Sequence, residues 1–245
     1  MSNKDPEAEV EVEVDVFRSI PWCQSLLQDP DYEIEPTASR IYKQNTREDA
    51  LLAETLKTDD TIKGWVSLYR RPTPSQPLKD EVRTLLSLSP GLNGYPRVCH
   101  GGIVATILDE VLSILVSVCR RAQGQHGDNV TAYLNVTYVK PVPTPGVLLV
   151  KGKIHKIERR KNFANGEIVN EQGVVLAKAE GLFVTDTPEN LDSAPLPGAR
   201  AVRTTHNTSN LAFSVGAMPS VVLRLDRDQS VQLAFPGSSQ QSKLR

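Results

Sequence analysis

The sequence has little cysteine and no excess of one charge sign. Its three cysteines, Cys23, Cys99 and Cys119, are scattered over 245 residues. An odd, scattered set supplies neither a disulfide framework nor a CxxC metal motif, and it favours a reducing compartment. The 28 basic residues balance the 29 acidic ones. This balance gives no electrostatic basis for binding nucleic acid or an anionic membrane, so we expect neither as the main partner.

The sequence also lacks a recognisable targeting segment. Residues 1–16 are acidic, alternate Glu with Val and contain no apolar core, unlike a secretory signal or an Arg-rich transit peptide. We therefore expect a cytoplasmic protein in which the sequons at Asn129, Asn135 and Asn207 are unused. We expect no peroxisomal address, because Arg245 follows Ser-Lys-Leu and the signal must be terminal.

A long apolar run occupies the middle of the chain. Residues 95–121, YPRVCHGGIVATILDEVLSILVSVCRR, pass from a turn-rich segment into about five turns of helix. The polar side chains of the run recur in steps of three and four, which places them on a stripe about 100° wide. This pattern predicts a buried core helix. Asp109 and Glu110 lie in its middle, so we expect a helix too short and too charged to span a membrane.

Shorter patterns surround this helix. Thr46 and Asp49 resemble a capping box that opens a second helix over residues 46–57. Enrichment in β-branched and aromatic residues between Pro- and Gly-rich turns predicts strands at residues 61–70, 82–88, 130–139, 147–157, 163–170 and 174–184. Short connections favour antiparallel pairing. A central helix this apolar requires a sheet wrapped around it or a second helix packed against it. The elements together predict an α+β domain.

Three regions follow from these patterns. Residues 1–45 form an N-terminal extension, in which residues 1–16 are expected to be a solvated, disordered tail. Within the same extension, Ile20–Leu27 is expected to be a helical turn docked on the body. Residues 46–185 form the domain. Residues 186–245 form a C-terminal extension, with two weak apolar runs and no motif that indicates chemistry.

Two motifs carry a family resemblance. HGGIVATILDE begins at His100, and TAYLNVTYVKPVP begins at Thr131. Together they resemble the hotdog-fold acyl-CoA thioesterases, in particular the PaaI-like group and the thioesterase-superfamily proteins. The segments WCQSLL and AETLKTDDTI are similar to fungal members of that group. The resemblance covers residues 46–185 and implies a hotdog fold, in which a curved antiparallel sheet wraps around one long central helix.

The chemical properties of the same residues also suit thioester hydrolysis. The reaction needs hydrogen-bond donors for the carbonyl oxygen, and free N–H groups at a helix N-terminus supply them. Gly101 and Gly102 leave room for that carbonyl, or serve only close packing. Asp109 is the candidate nucleophile or general base, with a solvated acid as the alternative. The family pattern favours Asp109 over its neighbour Glu110, which we place among the substrate-binding candidates.

Two further side chains complete the candidate catalytic set. Thr131 would orient Asp109 or hold the attacking water, although an ordinary strand residue is the commoner interpretation of a lone threonine. His100 would polarise the thioester carbonyl or brace the loop. Part of the family has an Asn six residues before this His. Here Gly94 occupies that position, and Asn93 is the candidate substitute for substrate binding.

Spacing and resemblance also predict the partners. Nine residues of helix separate His100 from Asp109 by about 13 Å, so one chain cannot bring both to one thioester. Two antiparallel copies can, and the resemblance likewise implies a homodimer or a dimer of dimers. Arg160 and Lys161 resemble the basic turn between the last strands of the family. They are candidates for contacts with the phosphates of coenzyme A, with a plain solvated turn as the alternative.

Three functions compete. The leading prediction is hydrolysis of an acyl thioester, on coenzyme A or a carrier protein, with a role in fungal secondary metabolism. We expect no metal site and no cofactor, because coenzyme A enters only as part of the substrate. A hydratase or dehydratase on the same fold is second, and HGG followed by this Asp argues against it. The third is non-catalytic binding of acyl thioesters, because a fold does not fix a function.

Overall fold

The computed structural model describes residues 6–186, 222–225 and 231–234. The chain divides into two compact units, Met1–Leu191 and Asp192–Arg245. In chain order, the described elements of the first unit are α1 (Pro6–Arg18), α2 (Pro21–Leu27), β1 (Tyr32–Glu35), β2 (Ile62–Arg70), β3 (Glu81–Leu88), β4 (Asn93–Tyr95), β5 (Val98–Cys99), α3 (Gly101–Ala122), β6 (Asp128–Tyr138), β7 (Gly146–Glu158), β8 (Lys161–Val169) and β9 (Val175–Asp186).

Seven of these strands form one sheet in the order β1-β2-β3-β7-β8-β9-β6. Every neighbouring pair is antiparallel. Short turns join β7 to β8 and β8 to β9, whereas β6 returns to the far edge beyond β9. Helix α3 packs on the inner face, against β3, β6, β7, β8 and β9. The predicted antiparallel sheet around one long helix is confirmed, and the six predicted strands lie within two residues of their expected bounds.

Helix α3 is the centre of the main core. It has 22 residues, and by length and composition alone it could cross a membrane, so the expectation that it is too short was wrong. Its role as a core helix follows from its packing on the five strands. Its buried side chains recur in steps of one, three and four: Val104, Ile107, Leu108, Val111, Leu112, Leu115, Val116, Cys119 and Arg120. Truncating one such leucine to alanine typically costs about 2–5 kcal/mol.

The N-terminal region departs from the sequence expectation. Residues 6–16 of the predicted disordered tail instead lie in helix α1, Pro6–Arg18. Val14 and Phe17 are buried on the outer face of the sheet, in a second apolar cluster with α2, β2 and β3. The alternation of Glu and Val concealed this helix, because the buried stripe follows steps of three and four instead. One of the alternating acids, Glu13, is itself only 7% exposed.

Charged hydrogen bonds hold α1 against the sheet. Glu13 Oε1 accepts from Arg40 Nε at 3.3 Å and lies 3.3 Å from Lys57 Nζ. Glu13 Oε2 accepts from the Trp65 backbone N–H at 2.8 Å. Arg40 also donates to backbone carbonyls of the segment that precedes β2, including Leu52 O at 3.1 Å. A buried carboxylate is tolerated here because these donors replace its water.

Two other local predictions had different outcomes. The docked helical turn is confirmed as α2, with Cys23 buried. The helix over residues 46–57 was wrong, since only a five-residue π-helical turn, Leu51–Thr55, is present. Arg47 and Asp49 have left-handed backbones, at φ 59° and 60°, which interrupts helical hydrogen bonding just where a capping box was expected. Strand β1, unpredicted, extends the sheet into the region assigned to the N-terminal extension.

The second unit is described by its two strands. β10 (Val222–Leu225) and β11 (Val231–Ala234) pair antiparallel. The first of them overlaps one of the two weak apolar runs of the C-terminal extension. The other run, residues 211–215, lies outside the described residues, as do the sequon at Asn207 and the end of the chain.

Candidate active site

The start of α3 is fixed by the side chain of His100. His100 is the N-cap residue, with φ −60° and ψ 133°, and its Nδ1 accepts from the Gly102 backbone N–H at 3.0 Å. Because Nδ1 accepts, the neutral imidazole carries its proton on Nε2, where it can donate to a ligand. The His100 carbonyl accepts from Ile103 N and Val104 N. The Gly101 N–H, at the first helical position, has no partner among the described residues.

The loop that leads to His100 is tightly packed. The His100 backbone N–H donates to Leu92 O at 2.8 Å. A Cβ atom on Gly94 would lie 3.0 Å from His100 Cα and 3.2 Å from His100 Cδ2, so a side chain at this position would press on His100. Asn93, the predicted substitute in substrate binding, instead accepts a hydrogen bond from the buried Thr144 hydroxyl. Its amide oxygen braces the loop.

Tyr138, at the end of β6, covers the first residue of α3. Its hydroxyl donates to Gly101 O at 2.9 Å. A Cβ atom on Gly101 would lie 3.5 Å from the Tyr138 ring. Tyr138 was not among the site residues predicted from the sequence, because its contact depends on how the end of an edge strand meets the helix start. The aromatic in TYVKP was the available signal.

Asp109 and Thr131 meet at the middle of α3, on its side towards β6. Thr131 Oγ1 donates to Asp109 Oδ1 at 2.9 Å. Burial raises the pKa of Asp109 above its usual range, and the hydrogen bond from Thr131 acts in the opposite direction. The carboxylate is half-buried rather than solvated. Such a group is a better base near neutral pH than a free aspartate, and it remains open to a ligand.

Glu110 faces a different part of the protein. Burial raises its pKa, the Ser39 side chain opposes that shift, and the carboxylate of Asp49 adds to it. Glu110 therefore lies towards the segment between β1 and β2, whereas Asp109 points to β6. The two acids are adjacent in sequence but separate in their surroundings, and the structure joins only Asp109 to Thr131.

The candidate basic residues lie at the other end of α3. Arg160, in the turn between β7 and β8, and Lys161, the first residue of β8, are both exposed. Arg120, in the last turn of α3, donates to the carbonyl oxygen of Arg159 in that turn. Eleven residues of helix separate Arg120 from Asp109, a rise of about 16 Å. The turn is thus far from His100 of the same chain and closer to Asp109.

Cysteine chemistry is not part of this site. All three cysteines are free and buried. Burial raises the pKa of Cys23 to about 12 and that of Cys99 to about 11, so both are thiols at neutral pH. Within the part of the chain that the structure describes, no group of three His, Cys, Asp or Glu side chains could hold a metal ion.

Known proteins resemble the segment that contains this site. The sequence profile of the thioesterase superfamily matches residues 97–177. The acyl-coenzyme A thioesterase THEM4 of Mus musculus is 35% identical over 114 residues, which are 45% of this chain and 46% of that protein. An uncharacterized protein of Schizosaccharomyces pombe is 35% identical over 105 residues, covering 41% of this chain and 58% of the relative. The matches thus span about half the length of the curated relatives.

Other matches have lower identity or weaker structural similarity. Verlamelin biosynthesis protein B of a Lecanicillium species is 27% identical over 117 residues, covering 45% of this chain and 51% of that protein. A crystal structure of a thioesterase superfamily protein is 30% identical, with a TM-score of 0.40 over 49% of this chain and 56% of the other. The matched segment contains α3 and β6, with Asp109 and Thr131, and one long helix packed on an antiparallel sheet is the hotdog arrangement that the sequence resemblance implied.

Proposed function

We propose that this protein hydrolyses acyl thioesters to a free acid and a thiol. The observation that carries the proposal is the hydrogen bond from Thr131 to the half-buried carboxylate of Asp109. This hydrogen bond orients Oδ1, and in the proposed reaction Oδ2 is the oxygen that meets water or the thioester. Asp109 acts either as the base that activates water or as the nucleophile that forms a mixed anhydride.

The start of α3 supplies the second half of the chemistry. The Gly101 N–H lies at the positive end of the helix dipole and is aimed to stabilise an oxyanion. Nε2–H of His100 is a second donor to the thioester carbonyl. The Gly102 N–H does not contribute, because His100 already accepts its hydrogen bond. Gly102 therefore belongs to the scaffold of the donor site.

The active protein in this proposal is a homodimer. Gly101 and Asp109 of one chain are separated by about 12 Å of helix, too far for one reacting carbonyl. The eleven-residue strand β6 forms one edge of the sheet, and an open edge is a natural site for pairing with a second chain. It carries the exposed Tyr133 and Tyr138. Asp109 faces this edge, so an antiparallel partner would bring its own Gly101 to Asp109.

The substrate class follows from both ends of the site. Coenzyme A carries phosphates that Arg160 and Lys161 can bind, beside the Arg120 end of α3, which lies about 16 Å along the helix from Asp109. The identity with acyl-coenzyme A thioesterase THEM4 supports this class. The likeness to verlamelin biosynthesis protein B supports a role in fungal secondary metabolism. A carrier-bound acyl chain is the alternative substrate.

The proposal is tested by release of free thiol from acyl-CoAs of increasing chain length and from aryl thioesters. Wild type should turn over at least one of them. Asp109→Asn should lower kcat by about 10²–10⁴-fold, with an unchanged thermal unfolding midpoint. Asp59→Asn, at an exposed position, is the matched control and should retain full activity. Full activity of Asp109→Asn would remove this residue from the chemistry. Tight acyl-CoA binding without any turnover by wild type would instead favour a binding protein.

A further inference from the structure

A buried hydrogen-bond network connects the end of α3 to the turn between β7 and β8. Arg120 Nε donates to Asn162 Oδ1 at 2.7 Å, and Arg120 also donates to Arg159 O. Asn162 is fully buried and Arg120 is only 6% exposed. The guanidinium has no carboxylate partner among the residues that the structure describes. Burying such a charge is costly, and it is tolerated here because neutral acceptors surround it.

The amide of Asn162 satisfies the other side of the same turn. Asn162 Nδ2 lies 3.1 Å from Arg160 O, 3.1 Å from Phe183 O and 3.1 Å from Thr185 Oγ1. The Thr185 backbone N–H also donates to Arg160 O, at 2.8 Å. Two consecutive carbonyls of the turn, those of Arg159 and Arg160, are therefore held from inside the protein.

This network fixes a turn that is otherwise open to solvent. Arg159 has a left-handed backbone, at φ 53°, a conformation that a residue other than glycine keeps only when its surroundings impose it. The side chains of Arg159, Arg160 and Lys161 are exposed. Because the carbonyls of Arg159 and Arg160 point into the protein, the three neighbouring basic side chains lie together on its surface.

We propose that Arg120 and Asn162 are positioning residues for recognition of the nucleotide phosphates of coenzyme A. They touch no substrate and act through the turn, whose side chains Arg160 and Lys161 contact the phosphates. The inference rests on the proposed function, and it adds a specificity device: the enzyme distinguishes an acyl-CoA from the same acyl group on pantetheine by a turn fixed from the protein interior. Positioned charge-assisted contacts are stronger than those of a flexible turn.

The test compares two substrates with the same acyl group, an acyl-CoA and the corresponding acyl-pantetheine, which lacks the nucleotide. Asn162→Ala should raise KM for the acyl-CoA about tenfold, the loss expected for a weakened charge-assisted contact. It should leave kcat and the kinetics with acyl-pantetheine unchanged. An equal loss with both substrates would overturn the inference, because it would indicate general damage to the fold.

A combined variant separates positioning from a structural effect. In the background Arg160→Ala/Lys161→Ala, the phosphate contacts are already gone, so adding Asn162→Ala should not raise KM for acyl-CoA further. An additive increase would contradict action through the turn. Asn170→Ala is the matched control. Its amide oxygen shapes the turn at the other end of β8, accepting from Gln172 N and Val174 N, and this substitution should leave the preference for acyl-CoA intact.

Binding measurements keep this inference independent of turnover. Calorimetric titration of Asn162→Ala with coenzyme A and with pantetheine should show a loss of affinity only for coenzyme A, whereas Asn170→Ala should bind both like wild type. If wild type hydrolyses no thioester but binds coenzyme A in this manner, the proposed function fails and the positioning role stands. If wild type hydrolyses both substrates with equal KM, hydrolysis stands and the positioning role fails.

Discussion

The hydroxyl of Thr131 donates to Asp109 Oδ1 across 2.9 Å, from an edge strand to the central helix. The contact joins two residues that are 22 positions apart and places the acid beside the strand where a second chain would pair. It also sets the sign of a pH effect. Burial raises the pKa of Asp109, and Thr131 opposes the rise by hydrogen bonding to the carboxylate.

Replacing Thr131 should therefore move the acid limb of the pH profile. In Thr131→Val the carboxylate loses a donor, so the pKa of Asp109 rises further and the acid limb of kcat/KM shifts upwards by about one pH unit. Thr131→Ser keeps the hydroxyl and should restore the wild-type limb. The measurement is kcat/KM for one thioester between pH 4 and pH 9, a window estimated to contain the limb. A downward shift would contradict the assignment of Asp109 as the titrating group.

The oxyanion donor can be removed without removing the helix. Proline is accepted at the first helical position, where it only deletes an N–H, and the extended backbone of His100 suits a residue before proline. Gly101→Pro should lower kcat by about 10²–10³-fold. Gly101→Ala retains the N–H and brings its Cβ to 3.5 Å from the Tyr138 ring, an ordinary contact, so its activity should be largely preserved. Equal activities of the two variants would exclude this N–H as a donor.

If each active site combines Gly101 of one chain with Asp109 of its partner, two inactive variants should regain activity when they form a heterodimer. In a heterodimer of Gly101→Pro and Asp109→Asn chains, one site carries both defects and the other carries none. Unfolding and refolding the two inactive proteins together should form about one half heterodimers and restore about a quarter of wild-type activity. Each protein refolded alone is the control. No recovery, with heterodimers verified by mass, would indicate sites confined to single chains.

The hydrogen bonds between Glu13 and the body of the protein predict that this buried acid contributes strongly to stability. Glu13→Ala removes the carboxylate that neutralises part of the charge on Arg40 and Lys57, and it also deprives the Trp65 N–H of its acceptor. We expect a loss of about 3–5 kcal/mol in the free energy of unfolding by urea. Glu11→Ala, on the exposed side of the same helix, removes only a surface pair and should have little effect. Similar urea midpoints for the two variants would contradict a stabilising role of the buried Glu13 carboxylate.

The sequence predicted the parts of the protein that depend on local pattern. The apolar period defined α3, strand composition defined the sheet, and two motifs singled out Asp109 and Thr131, which the fold brings together. The misses depend on distant contacts. Helix α1 forms because the sheet covers Val14 and Phe17, and Tyr138 reaches Gly101 only through the register of β6 against the sheet.

The N-terminal helices cover the outer face of the sheet, where Val66, Leu68 and Leu85 share an apolar cluster with Val14 and Phe17. A shortened protein that began at residue 46 would retain the whole segment matched by the family profile. It would nevertheless expose this apolar outer face to solvent. It would also lack β1, so β2 would become an unpaired edge strand. We expect such a fragment to aggregate in solution, although it would retain all the candidate catalytic residues.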